Sequence, residues 1–275
     1  MSKGALLFAY NNPKTDYYSM AVATAKRIKH FLGIPVSLVT GTASIPHGKL
    51  PDLVFDKVLI EEPDNGNVKD GAEWLNKGRF HAWRLTPYDE TLLIDVDYVV
   101  NSDKLLKIFD IYDDFMCHDT TSFLMVPDAE QEYMSKFSFN TLWATIIAFK
   151  KNKRTRHIFQ AMEMVQKNYD HYANLHNFVG GMYRNDYALT LALRIVNGHS
   201  DNKKDIIPWN LVHVGKSTTV YHKQFSDSEF NTEFKITFDN HKNGKIKKEY
   251  IYVKDTDFHM MNKGNFNNII KRFYE

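Results

Sequence analysis

Residues 91–100 read TLLIDVDYVV, and they place two carboxylates inside a run of strand-forming residues. Leu92, Leu93 and Ile94 lead in, and Val99 and Val100 lead out, so the segment reads as a strand covered on both faces. On an extended chain, residues i and i+2 point to the same side, which makes Asp95 and Asp97 converge. Converging carboxylates repel each other and resist loss of water. A hard divalent cation, Mg²⁺ or Mn²⁺, resolves both problems, because oxygen donors suit it and it keeps positions open for other ligands. A half-exposed strand with its polar face in water is the plainer reading, and the D-x-D pattern alone does not decide between them.

Working outward, GALLFAY (4–10) reads as a buried strand and NNPKTD as a turn with helix-start chemistry. Apolar residues at Tyr18, Ala21, Val22, Ala25, Ile28 and Leu32 keep a helical period from Asp16 to Leu32, and Gly33 stands where a helix stops. IPVSLVT and FDKVLIEE are two further strands, the second after a loop holding Pro46 and Pro51. A helix is expected from about Ala72 to Leu85, just before the quoted strand. Strands separated by helices imply a parallel sheet with right-handed crossovers and ligands at the carboxyl ends of its strands.

Beyond Val100 the pattern changes. A helix is expected near Asp103 to Asp113, then the strand LWATIIAF, a long helix from about Arg154 to Tyr172, and the helix NDYALTLALRIVNG after the GG pair at Gly180. EFKITF and KKEYIYV, joined by NHKNG, form an expected hairpin, and a short helix ends the chain. No internal repeat, low-complexity segment or linker is visible. The reading is one α/β domain over 1–275, with a ligand-binding half (1–101) and a partly antiparallel half (102–275).

The chain has 275 residues, 43% hydrophobic and 25% charged, which excludes disordered and fibrous classes. Its one cysteine, Cys117, allows no intrachain disulfide and suits a reducing compartment. The start, MSKGALLFAYNN, holds a six-residue apolar run, too short for a signal core or a membrane span, so a soluble cytoplasmic protein is expected. The net charge is +2, but Lys150, Lys151, Lys153, Arg154 and Arg156 cluster, as do Lys242, Lys245, Lys247 and Lys248. These are two solvated surfaces or the footprint of a polyanionic partner.

RFHAWRLTPYDETLLIDVDYVV resembles the glycogenin-like, family 8 type of GT-A glycosyltransferase, whose signature joins a basic residue, Trp, Leu-Thr-x-Tyr and a D-x-D strand. Arg79, Trp83, Leu85, Thr86, Tyr88, Asp95 and Asp97 stand at those positions; the family usually has Lys where this chain has Arg79. The resemblance implies a GT-A, Rossmann-like fold with a mainly parallel central sheet flanked by helices and a C-terminal acceptor half. It implies a nucleotide-diphosphate sugar donor, UDP-sugar foremost, and a Mn²⁺ or Mg²⁺ cofactor on Asp95, Asp97 and His259. FAYNN resembles the family's base-binding strand end, which assigns Tyr10 and Asn11 to the nucleotide. DFHMMNKG resembles its late His segment, assigning His259 to the metal and Lys263, with Arg79, to the diphosphate. RNDYALTLAL resembles the helix start that faces the acceptor, making Asp186 either a helix cap or the catalytic residue.

The resemblance implies a hydroxyl acceptor. The basic run Lys150–Arg156, and a lysine- and asparagine-rich composition, favour hydroxymethylated cytosine in bacteriophage DNA, which would place the protein in the host cytoplasm. A saccharide or lipid-linked saccharide is the alternative. D-x-D-x-[TV] also describes haloacid-dehalogenase-like phosphatases, but three strands precede it here and no downstream acidic pair stands in the expected place. A non-catalytic nucleic-acid-binding protein is the third class.

Overall fold

The computed structural model describes residues 1–46, 54–63, 67–69, 72–136, 138–178, 182–224, 230, 232–242 and 245–274. Pro51, Gly180 and the tip of NHKNG lie outside the described residues.

The first strand, β1 (Lys3–Ala9), is buried from Gly4 onward. Asp16 caps the following helix, α1 (Tyr17–Leu32), by accepting from the Ser19 N–H, and Gly33 ends it in the left-handed region at φ 63°. β2 (Val36–Thr40) lies parallel to β1, and β3 (Lys57–Ile60) parallel to β2. Residues 72–85 do not form the expected single helix. β4 (Val68–Lys69) and β5 (Ala72–Glu73) make a small antiparallel pair, a 3₁₀ turn spans Asn76–His81, and only α2 (Ala82–Leu85) is α-helical. Gly78 departs from helical geometry, and Thr86, preceding Pro87, is pushed out of the α region at ψ 133°.

β6 (Glu90–Ile94) is wholly buried and parallel to β1. It ends one residue before the first carboxylate, so the expected unbroken strand over 91–100 is corrected. Residues 95–98 form a turn closed by the Tyr98 N–H on the Asp95 carbonyl at 3.0 Å, and β7 (Tyr98–Val99) joins a different sheet. Asp95 and Asp97 are thus brought near each other by a turn rather than by strand alternation.

One turn of helix, α3 (Ile108–Ile111), leads to β8 (Phe115–His118), β9 (Thr121–Phe123) and β10 (Val126–Glu130). β11 (Trp143–Lys150) runs antiparallel to both β6 and β8. The central six-stranded sheet is ordered β3-β2-β1-β6-β11-β8, parallel across its first four strands. α4 (Lys153–Lys167) starts with a reciprocal cap between Asn152 and Thr155. The expected helix over 154–172 breaks at Asn168, whose side-chain amide donates to the Met164 carbonyl at 2.8 Å, and α5 (Tyr169–His176) starts anew.

α6 (Asn185–Val196) is followed by β12 (Leu211–Val214), β13 (Thr219–Gln224), β14 (Thr232–Lys242), β15 (Lys245–Val253), β16 (Phe258–Met260) and α7 (Lys263–Tyr274). A second sheet is ordered β10-β9-β12-β16-β7, and the expected hairpin β14–β15 pairs with β13 in a third. Alternation along the central strands sorts the core. Ala5, Leu7, Leu92 and Ile94 pack with Ala21 and Ile28 of α1, while Leu6, Phe8 and Leu93 pack with Phe159 of α4 and Leu189 of α6. The result is a mixed α/β fold with a largely parallel sheet flanked by helices, as expected. Among the described residues, no helix is long and apolar enough to cross a membrane.

His118, at the end of β8, is buried, and its pKa is pushed down to about 3 by burial and then by the Lys104 charge. Unfolding returns the ring to its ordinary value of 6.5, so the unfolded chain binds the extra proton between those limits. The stability is fully present above pH 6.5 and is lost as pH falls towards 3, by at most about 1.4 kcal/mol per pH unit. His118→Gln is expected to flatten this part of the acid limb in urea titrations between pH 4 and 6.5.

Candidate functional site

The carboxyl edge of β6 holds the quoted carboxylates. Asp95 is the first residue past the strand, with its N–H on the Thr145 carbonyl at 2.9 Å. Asp97 lies buried in the turn, and its carbonyl accepts from the Met260 N–H at 2.8 Å. The β7–β16 pairing sets Tyr98 opposite His259, which brings His259 beside the turn. His259 Nε2 is 3.4 Å from Asp97 Oδ1. Lys263, the first residue of α7, places Nζ 3.1 Å from Asp97 Oδ2 and 3.3 Å from the Tyr17 hydroxyl. Arg79 comes from the 3₁₀ turn, is 2% exposed, and pairs Nη1 with Asp95 Oδ1. Its Nε and Nη2 meet no acceptor among the described residues.

The charges are unevenly settled. Burial opposes charge on Asp97, but the Lys263 ammonium and the His259 ring overcome it and hold the carboxyl well below the usual carboxylate range. Burial pushes the Asp95 carboxyl up, with Asp97 adding to the effect and Arg79 opposing it. Burial works against the Lys263 charge too, yet Asp97 holds its ammonium above the ordinary range.

Asp95, Asp97 and His259 offer one ligand atom each, all within 4.8 Å of one another. Two carboxylate oxygens and one imidazole nitrogen suit Mn²⁺, and Mg²⁺ with more water in its shell. The carboxyl that burial pushes up at Asp95 is one such an ion would hold ionised. Two Arg79 donors lie buried beside this group without a partner among the described residues, and an anion that reached them would satisfy both.

A cavity of about 140 Å³ opens beside these residues, its wall including Tyr10, Trp74, Trp143, Tyr183 and Asp186. It shares Tyr17, Trp74, His259, Met261 and Lys263 with a neighbouring cavity of about 350 Å³, so the two lie side by side along one cleft wall. Together they reach the size of small-molecule sites.

Of the sequence candidates, Tyr10, Arg79, Asp95, Asp97, Asp186, His259 and Lys263 meet at this cleft. Asn11 does not line it. Its Oδ1 accepts from the Tyr18 N–H at 2.8 Å and its Nδ2 donates to Asp16 at 3.1 Å, so it braces the start of α1. Asp186 is not the cap of α6, a place taken by Arg184. In the first turn, Asp186 accepts from the Ala144 N–H at 2.9 Å and from Arg184 Nη2 at 3.0 Å.

The basic run lies elsewhere. The β11–β6 register pairs Ile146 with Ile94 but Lys150 with Glu90, which sends residues 150–156 to the opposite edge of the sheet. There Lys151 donates to the Thr86 carbonyl at 2.7 Å and Arg154 bridges Asp114 and Asp205, each at 2.6 Å. Lys153 and Arg156 are exposed.

Sequence reading missed Tyr17, Trp74, Trp143 and Arg184 in the cleft, and His213 behind it. Arg184, two residues before Asp186, had a local signal; the others come from distant elements and had none.

No protein-family model matches the chain, and no curated protein matches it in sequence. Among solved structures it is similar to the glycosyltransferase GlyE of Streptococcus pneumoniae TIGR4, at 12% identity and a TM-score of 0.40. That match covers 70% of this chain and 43% of GlyE, so the chain spans less than half of that protein's length. It is also similar to the galactosyltransferase LgtC in complex with donor and acceptor sugar analogs, at 12% identity and a TM-score of 0.43, covering 69% of this chain and 70% of LgtC. Mouse xyloside xylosyltransferase 1 is similar at 9% identity and a TM-score of 0.44, covering 72% of this chain and 83% of that one.

Proposed function

We propose that this chain is a metal-dependent glycosyltransferase that moves a sugar from a nucleoside-diphosphate donor to an acceptor hydroxyl. The observation that carries the reading is the convergence of Asp95, Asp97 and His259 within 4.8 Å, beside a buried guanidinium with two donors unpaired among the described residues. Asp95, Asp97 and His259 would hold a divalent ion, which would supply Lewis-acid stabilisation to a departing diphosphate.

The chain's own groups do the rest. Arg79 Nε and Nη2 donate to phosphate oxygens, and the fork geometry fixes the diphosphate's orientation. Lys263 adds a fixed positive charge where negative charge grows in the transition state. Tyr10 and the other cleft aromatics offer flat faces to the base and the sugar. Asp186 faces the acceptor: if the anomeric configuration inverts, it takes the hydroxyl proton, and if it is retained, it positions the acceptor. Asp186→Asn keeps an oxygen for the Ala144 N–H and loses the charge. With Asp186 as base, turnover is expected to fall about 100-fold or more with donor affinity unchanged, measured by initial rates beside donor titrations.

The acceptor divides into two readings. A saccharide suits a cleft walled by Trp74, Trp143 and Tyr183, since sugar rings stack on aromatic faces. Hydroxymethylated cytosine in DNA has a different support: the β13–β15 sheet exposes Tyr221, Tyr250 and Tyr252, each at least half exposed, with Lys247 and Lys248 nearby on β15. The deciding experiment incubates the enzyme with Mn²⁺, a panel of nucleotide sugars, and either oligosaccharides or hydroxymethylated DNA, and then weighs the products by mass spectrometry. A hexose or pentose mass on a cytosine derivative selects DNA. Failure of every donor to turn over, with no metal-dependent binding of nucleoside diphosphate, overturns the enzyme reading.

A further inference from the structure

We infer that His213 is a positioning residue that sets which ring nitrogen of His259 faces the paired carboxylates; this rests on the metal-site reading above. β12 and β16 run parallel with His213 opposite His259, so two rings on adjacent strands share one side of the sheet. Their Nδ1 atoms are 3.0 Å apart. His213 is 2% exposed. The rings of Trp143 and Phe123, 4.8 and 5.8 Å away between centroids, hold it in place.

Two neutral imidazoles that meet Nδ1 to Nδ1 at this distance share one hydrogen. Two lone pairs facing each other repel, and two N–H groups collide. Two arrangements therefore exist. In the first, His213 donates from Nδ1, His259 accepts, and the hydrogen of His259 sits on Nε2, pointing towards Asp97 Oδ1 at 3.4 Å. That nitrogen then has no lone pair for a cation. In the second, His259 donates from Nδ1 and turns a bare Nε2 towards Asp95 and Asp97, while His213 keeps its hydrogen on Nε2. Each arrangement holds two ring hydrogens, so exchanging them needs no net uptake or release of protons. Cation binding selects the second, and only a neutral acceptor at the His213 Nδ1 position permits it.

The other side of His213 explains why neither arrangement is locked. Its Nε2 has no partner among the described residues. It is left as an unused lone pair in the first arrangement and as an unused N–H in the second, and neither is favoured by a fixed neighbour. The metal ligand's partner is thus a second histidine rather than the carboxylate or carbonyl usual behind a ligating ring.

The test uses the full chain without donor, stripped of metal. His213→Asn puts an amide oxygen near the place of Nδ1, and His213→Phe fills the ring volume without an acceptor. Mn²⁺ titrations followed by electron paramagnetic resonance are expected to show about 10- to 100-fold weaker binding for His213→Phe, and near wild-type binding for His213→Asn. Nitrogen-15 spectra of the wild-type histidines with saturating Mg²⁺ are expected to show the His259 hydrogen on Nδ1. A purely structural role would weaken Mn²⁺ binding equally in both variants, and that result overturns the inference. So does wild-type affinity in His213→Phe while His259→Ala loses the metal. If His213→Phe does not fold, a His259 hydrogen that stays on Nε2 at saturating Mg²⁺ overturns it alone. Wild-type Mn²⁺ affinity in both His259→Ala and Asp97→Asn fails the metal-site reading itself, a different outcome.

Discussion

Asp97→Asn is expected to abolish the proposed metal-linked response of this chain to a nucleoside diphosphate and to lower turnover by about a thousandfold or more. The carboxylate is the hub of the site: it touches His259 and Lys263, and its low pKa keeps it ionised. Asparagine keeps the shape and an oxygen for Lys263 but removes the charge that a cation needs. A ligand at a hundred times its Kd stabilises the native state by about 2.7 kcal/mol. That gain corresponds to a rise in Tm of about 5–10 °C for a chain of this size. The wild type with UDP and Mn²⁺ is expected to show this rise, the variant none, by differential scanning fluorimetry. The metal-free melt is the control, since a variant that had merely unfolded would also fail to respond. An undiminished rise in Asp97→Asn would remove the paired acids from the site.

Arg79→Met is expected to lower kcat/KM for the proposed donor by about a thousandfold, close to 4 kcal/mol of lost transition-state binding. Its guanidinium is buried, tied to Asp95 by Nη1 and without a partner at Nε and Nη2 among the described residues. Under the proposed function a bound phosphate reaches and satisfies those two buried donors, and methionine fills the volume without supplying them. Arg79→Lys is expected to recover part of the loss through charge alone, because an ammonium cannot reproduce the fork. The free protein should melt within a few degrees of wild type. The lost pairing with Asp95 is offset by removal of two buried unsatisfied donors. Steady-state kinetics over a donor series measures the first effect and calorimetry the second; full recovery in the lysine variant would deny Arg79 its bidentate role.

Much of the first half was legible because its signals are periodic. The strand β1, the helix α1 with Asp16 and Gly33 at its ends, and β2 and β3 follow from apolar spacing and cap chemistry. The errors came where one residue overrides a pattern. Gly78 and Pro87 cut the helix expected over 72–85, and Asn168 turns its amide onto its own helix and splits α4 from α5. At Asp95 the strand stopped because the polar turn, and not the pleat, carries the carboxylates. The second sheet was illegible, since β9, β12 and β16 are three or four residues long and owe their existence to each other. The site shows the same divide. Asp95 and Asp97 announce themselves as neighbours in sequence, whereas His213 and Trp143 enter it through strand pairing alone.

The position of α7 has a consequence for how the molecule is made. On a ribosome, the turn with both acids emerges some ten to thirty seconds before the segment holding His259 and Lys263, at usual rates of elongation. Until that segment docks, Asp95 already has Arg79 beside it in the chain but Asp97 lacks both His259 and Lys263, so the candidate site is completed only after the central sheet that carries it.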